Sequence, residues 1–338
     1  ALLAAWGGIR EVPFHAAYTV FSLTAALSML SLARRFSPRP LLATLLFLAV
    51  PAFVVNGNSF EADLPFLACW MAAAAAFVRA VDGASGRWLA AAAAALALAA
   101  LAAYQSVLIV PILAVYLWIN RRTWRAGWGV LLAGPLVLGL WQLYEHASSG
   151  ELPLAVAAGY FQAYGLQSLA NKLKNAGALT GHTGWLLFPA LAVAAFRPRA
   201  RVAWLAVLGA AAAAAWADAG PLFWASAGVG SLVIVSSALM SWKDDDHDVR
   251  FLSAWLVIFF AGALALFFAG SARYLLPMAA PVALLASKGL APHPIWLASA
   301  AALQLAFSLC LSVVNYQHWD GYREFARALR PITQSKRV

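Results

Sequence analysis

Apolar stretches of membrane-crossing length recur from one end of this 338-residue chain to the other. A bilayer core of about 30 Å takes about 20 residues of helix to cross. A membrane barrel would instead show short segments that alternate apolar and polar side chains. The chain is 64% hydrophobic and 11% charged, against roughly 25% charged residues in a soluble domain. In lipid, every backbone N–H and C=O must be satisfied within the chain, and a helix does this locally. The expected fold is an all-α polytopic membrane protein. Residues 1–315 would form the transmembrane domain, and 316–338 the start of an outer C-terminal segment.

The arginines set the orientation. Basic residues cluster in short connectors: Arg34/Arg35/Arg39, Arg79/Arg87, Arg121/Arg122/Arg125, Arg197/Arg199/Arg201, Lys243/Arg250 and Lys288. Such connectors stay in the cytoplasm. The net charge of +10 is therefore topological, and nucleic acid is not an expected partner. About twelve spans fit between these loops, near 14–33, 40–56, 64–80, 88–103, 105–120, 127–144, 183–196, 202–217, 222–242, 251–270, 274–288 and 294–314. The pair 88–103 and 105–120 is short enough to be a tightly turned or re-entrant hairpin. Trp88, Trp124, Trp128, Trp141, Trp185, Trp242 and Trp319 fall at span ends, as an interfacial aromatic belt requires.

Alternation then places NGNSFEADLPF (Asn56 to Phe66), Tyr104/Gln105, the 145–182 stretch, Asp218, Arg273 and the tail on the outer face. Glu61 and Asp63 lie there between two apolar segments, where a carboxylate is costly and its retention points to use. The 145–182 stretch is too long for a simple connector. Tyr160, Phe161 and Tyr164 followed by Lys172 and Lys174 read as a helix lying in the interface. It is equally a lid over a site or a structural cap. His182 sits beside that site; most lone histidines at helix ends only make a local hydrogen bond. KDDDHDVR (Lys243 to Arg250) reads as a solvated connector rather than a metal site, because consecutive Asp side chains repel and diverge. Cys69 and Cys310 offer neither a disulfide framework nor a metal spacing, and read as buried small apolar residues. Arg10 and Glu11 read as an interfacial ion pair, and the tail as a helix with Asp320 near its start.

The order of these parts resembles a known family. A Pro-containing span (LLATLLFLAVPAFVVNGN) precedes an outer acid followed by Leu-Pro (EADLPFLACW) and a basic loop. Next come a short hairpin, an outer His before a span (GHTGWLLFPAL), and SARYLLPMAAPVALLAS. This is similar, over nearly the whole chain, to family 39 glycosyltransferases, the dolichyl-phosphate-mannose mannosyltransferase-like group, relatives of bacterial aminoarabinose transferases. The resemblance implies a GT-C-like bundle with outer-face loops in a bacterial inner membrane, acting at the periplasmic face. It implies a polyprenyl-phosphate sugar donor and a lipid, glycan or protein acceptor. Asp63 matches the family's second outer acid, with Glu61 assisting. Arg273 matches a basic position and, with Tyr274, His182, Lys172 and Lys174, would hold the donor phosphate. Asn58, Tyr104 and Gln105 would line the cavity, with Tyr104 standing where many relatives have Lys. The family's first span and first outer acid have no counterpart, so the chain as given is expected to be inactive alone.

Such a transfer needs a carboxylate to take the acceptor's proton and fixed cations to stabilise the departing phosphate. No cofactor is fixed by the residues; a divalent cation is the one the chemistry would accommodate. Two other readings stand beside this one. A transporter or flippase would show internal repeats and broken helices with polar groups at mid-membrane. A non-catalytic assembly subunit would lack the first acid.

Overall fold

The computed structural model describes residues 11–57, 61–163, 168–187, 220–266 and 271–334. Among these, every regular element is helical. The first half holds α1 Glu11–Phe36, α2 Pro40–Leu48, α3 Pro51–Asn56, α4 Asp63–Gly83, α5 Gly86–Ala102, α6 Ile109–Arg121, α7 Arg125–Val130 and α8 Ala133–Ser149. Then follow α9 Pro153–Ala163, α10 Leu169–Gly184, α11 Pro221–Lys243, α12 His247–Leu266, α13 Leu276–Gly289 and α14 Pro294–Gln334. Short 3-10 turns, Tyr104–Leu108 and Ala272–Leu275, lead into α6 and α13. Seven described stretches are long and apolar enough to cross a membrane, and α5 is a shorter apolar helix. The expected span 202–217 and most of 183–196 lie outside the described residues, as do Asn58, Tyr164, Arg197, Arg199, Arg201 and Asp218.

α4 is the axis of the bundle. Its Ala73, Ala74, Ala75 and Ala76 are all buried, and so short a side chain lets neighbouring backbones approach closely. α1, α5, α6 and α13 all pack on it. Trp70 meets Phe66 at 5.6 Å and Phe259 of α12 at 5.3 Å, both edge-on. A second aromatic group, Phe36, Tyr116, Phe251 and Trp255, joins α1, α6 and α12. Outward faces are apolar instead of polar: Leu132, Leu136 and Leu140 form an exposed row with a period of four along α8. Residues at that spacing share one helix face, and an apolar outer face is suited to lipid. Cys310 is exposed on α14 and Cys69 is half-buried. The buried-cysteine expectation therefore fails for Cys310, which lies on an outward face.

The chain breaks its second span at Pro51. Pro51 has no N–H to give Phe47 O, and Val50 N closes on that carbonyl instead at 3.1 Å. The freed Ala49 O accepts from Ser308 Oγ of α14 at 2.6 Å. Nearby in α14, buried Gln304 donates to Leu186 O at 2.9 Å. A broken helix inside lipid is tolerated when neighbours satisfy its carbonyls in this way.

Three expectations change here. The stretch 145–182 is not one irregular loop: α8 runs to Ser149, and α9 and α10 follow. α10 packs along α11. The reason is glycine. A Cβ on Gly184 or Gly230 would overlap the backbone carbonyl of Ser226 or Thr180, so bare backbone is what allows this contact. The second change is the tail, where no helix starts near Asp320. α14 continues unbroken from Pro294 to Gln334, 41 residues, or ~61 Å, about twice a bilayer core.

The third concerns KDDDHDVR, which is more than a solvated connector. Asp246 caps α12, accepting from the N–H of Asp248 at 2.8 Å and of Val249 at 3.3 Å. It also pairs with Lys288 Nζ at 2.8 Å. Asp248 takes Arg35 at 2.9 Å, and Arg35 takes Asp82 at 2.8 Å. Tyr116 donates to the other Asp82 oxygen. Charged or polar groups from the ends of α1, α4, α6, α12 and α13 thus meet at one end of the bundle.

Candidate functional site

At the other end of α4 a second charged group assembles. Asp63 is the first residue of α4, and Asp82 belongs to its last turn. Nineteen residues of helix set them ~29 Å apart, close to the thickness of a bilayer core. The 3-10 turn Ala272–Leu275 brings Arg273 to this end, between α12 and α13. Arg273 Nη1 lies 2.5 Å from Glu61 Oε1, and its Nε lies 3.2 Å from Asp63 Oδ2. The Arg273–Tyr274 ring distance is 5.4 Å.

Two residues offset by two on one helix would point apart. The structure brings both Glu61 and Asp63 to Arg273. Glu61 stands in a bend and Ala62 in a turn, ahead of the first helical residue. The geometry of side chains on one helix therefore does not apply to Glu61.

The two contacts differ in kind. Glu61 makes a close charge-assisted contact with Nη1. The Asp63 pair lacks hydrogen-bond alignment, and Arg273 Nε is buried without a hydrogen-bond partner among the described residues. So is Glu61 Oε2. Buried polar atoms are nearly always paired, so a donor and an acceptor at one spot form a place for a polar ligand. Burial would lower the pKa of Arg273, but contacts with Tyr274 and Glu61 and the charge of Asp63 outweigh it and hold the guanidinium above its ordinary value. It is a fixed cation.

The remaining candidates are less tightly gathered. His182 is half-buried in α10, the helix that touches the Arg273 turn. Lys172 and Lys174 lie earlier on α10 and are exposed. They are ten and eight residues from His182, ~15 and ~12 Å along the axis. Tyr104 and Gln105 form the turn before α6, which contacts α12 and α8. The Tyr104 hydroxyl accepts from Gln142 Nε2 of α8 at 3.3 Å, and Gln142 Oε1 in turn accepts from Leu154 N of α9 at 3.0 Å. Tyr104 thus ties α8 and α9 to the hairpin. Gln142 had no signal in the sequence beyond being a polar residue in an apolar span.

Glu61 and Asp63 are the two carboxylates a divalent cation would use here, and one oxygen of each already faces Arg273. No group of three metal-ligating side chains occurs among the described residues.

Residues 2–143 match the model of the family described as dolichyl-phosphate-mannose-protein mannosyltransferase. The match covers Glu61, Asp63, Tyr104 and Gln105, and stops before Lys172, His182 and Arg273. The resemblance read from the sequence over nearly the whole chain is thus matched over this N-terminal part. It is a likeness to that family over 142 of the 338 residues, 2–143. No curated protein and no solved structure matched the chain.

Proposed function

With that family likeness as the premise, we propose that the protein moves a sugar from a polyprenyl-phosphate donor to an acceptor at the end of the bundle opposite the arginine-rich connectors. One observation carries the reading. At that end Arg273 sits between two carboxylates, with its Nε and Glu61 Oε2 both buried and without a hydrogen-bond partner among the described residues.

The chemistry follows from those atoms. The donor's polyprenyl tail lies in lipid, and its phosphate reaches the Arg273 turn. Arg273 offers planar donors that match phosphate oxygens, and Glu61 holds it in place. As the bond between the anomeric carbon and the phosphate oxygen breaks, negative charge gathers on the phosphate, where a preset cation stabilises it. Asp63, only loosely held by Arg273, takes the proton from the acceptor hydroxyl as it attacks. The donor oxygen leaves with the electron pair, the acceptor oxygen forms the new bond, and the sugar carbon inverts in one step. Two polar groups deeper in the bundle, Gln304 and Ser308, donate to backbone carbonyls.

The test is transfer of labelled sugar from a polyprenyl-phosphate donor by the full-length protein in vesicles. Asp63→Asn should cut kcat by about 10² to 10⁴, the usual worth of a general base. Glu61→Gln should act more through KM by loosening Arg273. Full activity in Asp63→Asn removes it as the base. Uptake of donor into the vesicles without any transfer would replace the transferase reading with transport.

A further inference from the structure

At the arginine-rich end, we propose a binding site for an anionic phospholipid in the groove between α1, α4 and α5. Two adjoining cavities define it. One, of about 460 Å³, is lined by Ser31, Arg34, Arg35, Arg79, Asp82 and Trp88 among others. The second, of about 450 Å³, shares Ser31, Arg34, Arg79 and Trp88 and extends along Leu27, Ala72, Ala75, Ala76, Ala91 and Ala95. A polar cationic chamber thus opens into an apolar trough.

The sequence explains the trough. Ala72, Ala75 and Ala76 lie at spacings of three and four on α4, and Ala91 and Ala95 at four on α5. Such residues share one helix face, and all are too small to fill the space between the helices. The trough runs seven residues from Ala72 to Arg79, ~10 Å along the axis.

Charge selects the occupant. Arg35 is neutralised by Asp82 and Asp248, and Asp82 is engaged by Arg35 and Tyr116. Arg34, Arg79 and Arg87 make no ion pair among the described residues, and all three are exposed. Trp88 places two of them: the Arg79 guanidinium lies 4.7 Å and that of Arg87 5.7 Å from its ring centroid. A phosphate would meet Arg34 and Arg79 at the mouth while its acyl chain follows the alanine trough. Basic pockets between spans on the cytoplasmic side are suited to acidic headgroups. A zwitterionic lipid would bring a second cation to an already cationic mouth.

The experiment is native mass spectrometry of the full-length protein in detergent, titrated with phosphatidylglycerol, phosphatidylcholine or inorganic phosphate. Phosphatidylglycerol should bind at low salt and be displaced by added salt. Phosphatidylcholine should bind at least tenfold more weakly, and inorganic phosphate should not compete at equal concentration. Arg34→Gln and Arg79→Gln should each weaken phosphatidylglycerol about fivefold, the worth of about 1 kcal/mol per basic residue near a surface. Ala95→Leu should fill the trough and weaken binding with both arginines intact, so the site stays testable even where an arginine variant folds poorly. Equal binding of the two lipids overturns the proposal, as does competition by phosphate alone. So does unchanged phosphatidylglycerol binding in either the arginine or the Ala95→Leu variants.

Discussion

Replacing Gly230 by Ala should separate α10 from α11 and cost about 2–4 kcal/mol. A Cβ there would overlap Thr180 O and lie 2.9 Å from Thr180 C and 3.1 Å from Gly184 N. All three are backbone atoms, so no side chain can swing aside, and the helices themselves must part. Overpacking of a tight contact costs about 1–3 kcal/mol. A gap of even 0.5–1 Å forfeits a quarter to a half of each atom-pair attraction of about 0.1–0.2 kcal/mol. On the order of 20 such pairs along the interface add about 1 kcal/mol. Within lipid no solvent term compensates, since association rests on packing. The assay is thermal or denaturant unfolding of the purified protein in one detergent, with Gly184→Ala and the double variant alongside. Each single change forces the same separation, so the double variant should cost less than the sum. Gly177→Ala is the control: its Cβ would lie 3.7 Å from Phe223, ordinary contact, and should be neutral or slightly stabilising because Ala favours helix. Wild-type stability in Gly230→Ala, or a loss in Gly177→Ala as large, would refute the close-packing account.

Other outcomes are expected at single residues. Ser308→Ala should destabilise by about 1–3 kcal/mol, since it leaves Ala49 O buried without its donor; Ser308→Thr should recover part of that in the same melt. Ala84 ends α4 with a left-handed φ of 48°, a conformation that costs an L-residue about 1–2 kcal/mol. Ala84→Gly should raise the unfolding midpoint, by less than that amount because glycine is freer when unfolded. Asp246 is lowered below its ordinary value of 3.8: burial works against this, but the Lys288 ammonium and the N–H groups of Asp248 and Val249 prevail. A depressed carboxylate stabilises fully above its unfolded pKa, and loses that stability as pH falls through its folded one. The midpoint difference between wild type and Asp246→Asn should therefore hold steady from pH 8 to 5 and shrink below about pH 4.

Some of this was open to reading along the chain. The break at Pro51 and the separation of Glu61, Asp63 and Arg273 from the basic connectors at the other end of α4 follow the sequence pattern. The role of Asp246 was also within reach, because an Asp at the start of an apolar helical run is a capping signal. It was hidden by three neighbouring acids that read as one charge run. Gly177, Gly181 and Gly184 carry a packing signal too, at spacings of four and three that share one helix face. The continuity of α14 through Asp320 had no local sign, since an Asp that caps and an Asp that sits mid-helix look alike in sequence.

What the sequence determined by itself is the solvent. Span length, apolar content and the placement of arginine act residue by residue against lipid and water, so no partner in space is needed to read them. Only the tertiary structure decided which charges meet. Glu61 and Asp63 reach the same arginine because one precedes the helix and the other begins it, and because α12 and α13 return a distant turn to that end. The same holds for the Ser308 donor to Ala49 O and for the alanine trough beneath Arg34 and Arg79. Each depends on distances between helices far apart in the chain, which pattern and composition do not encode locally.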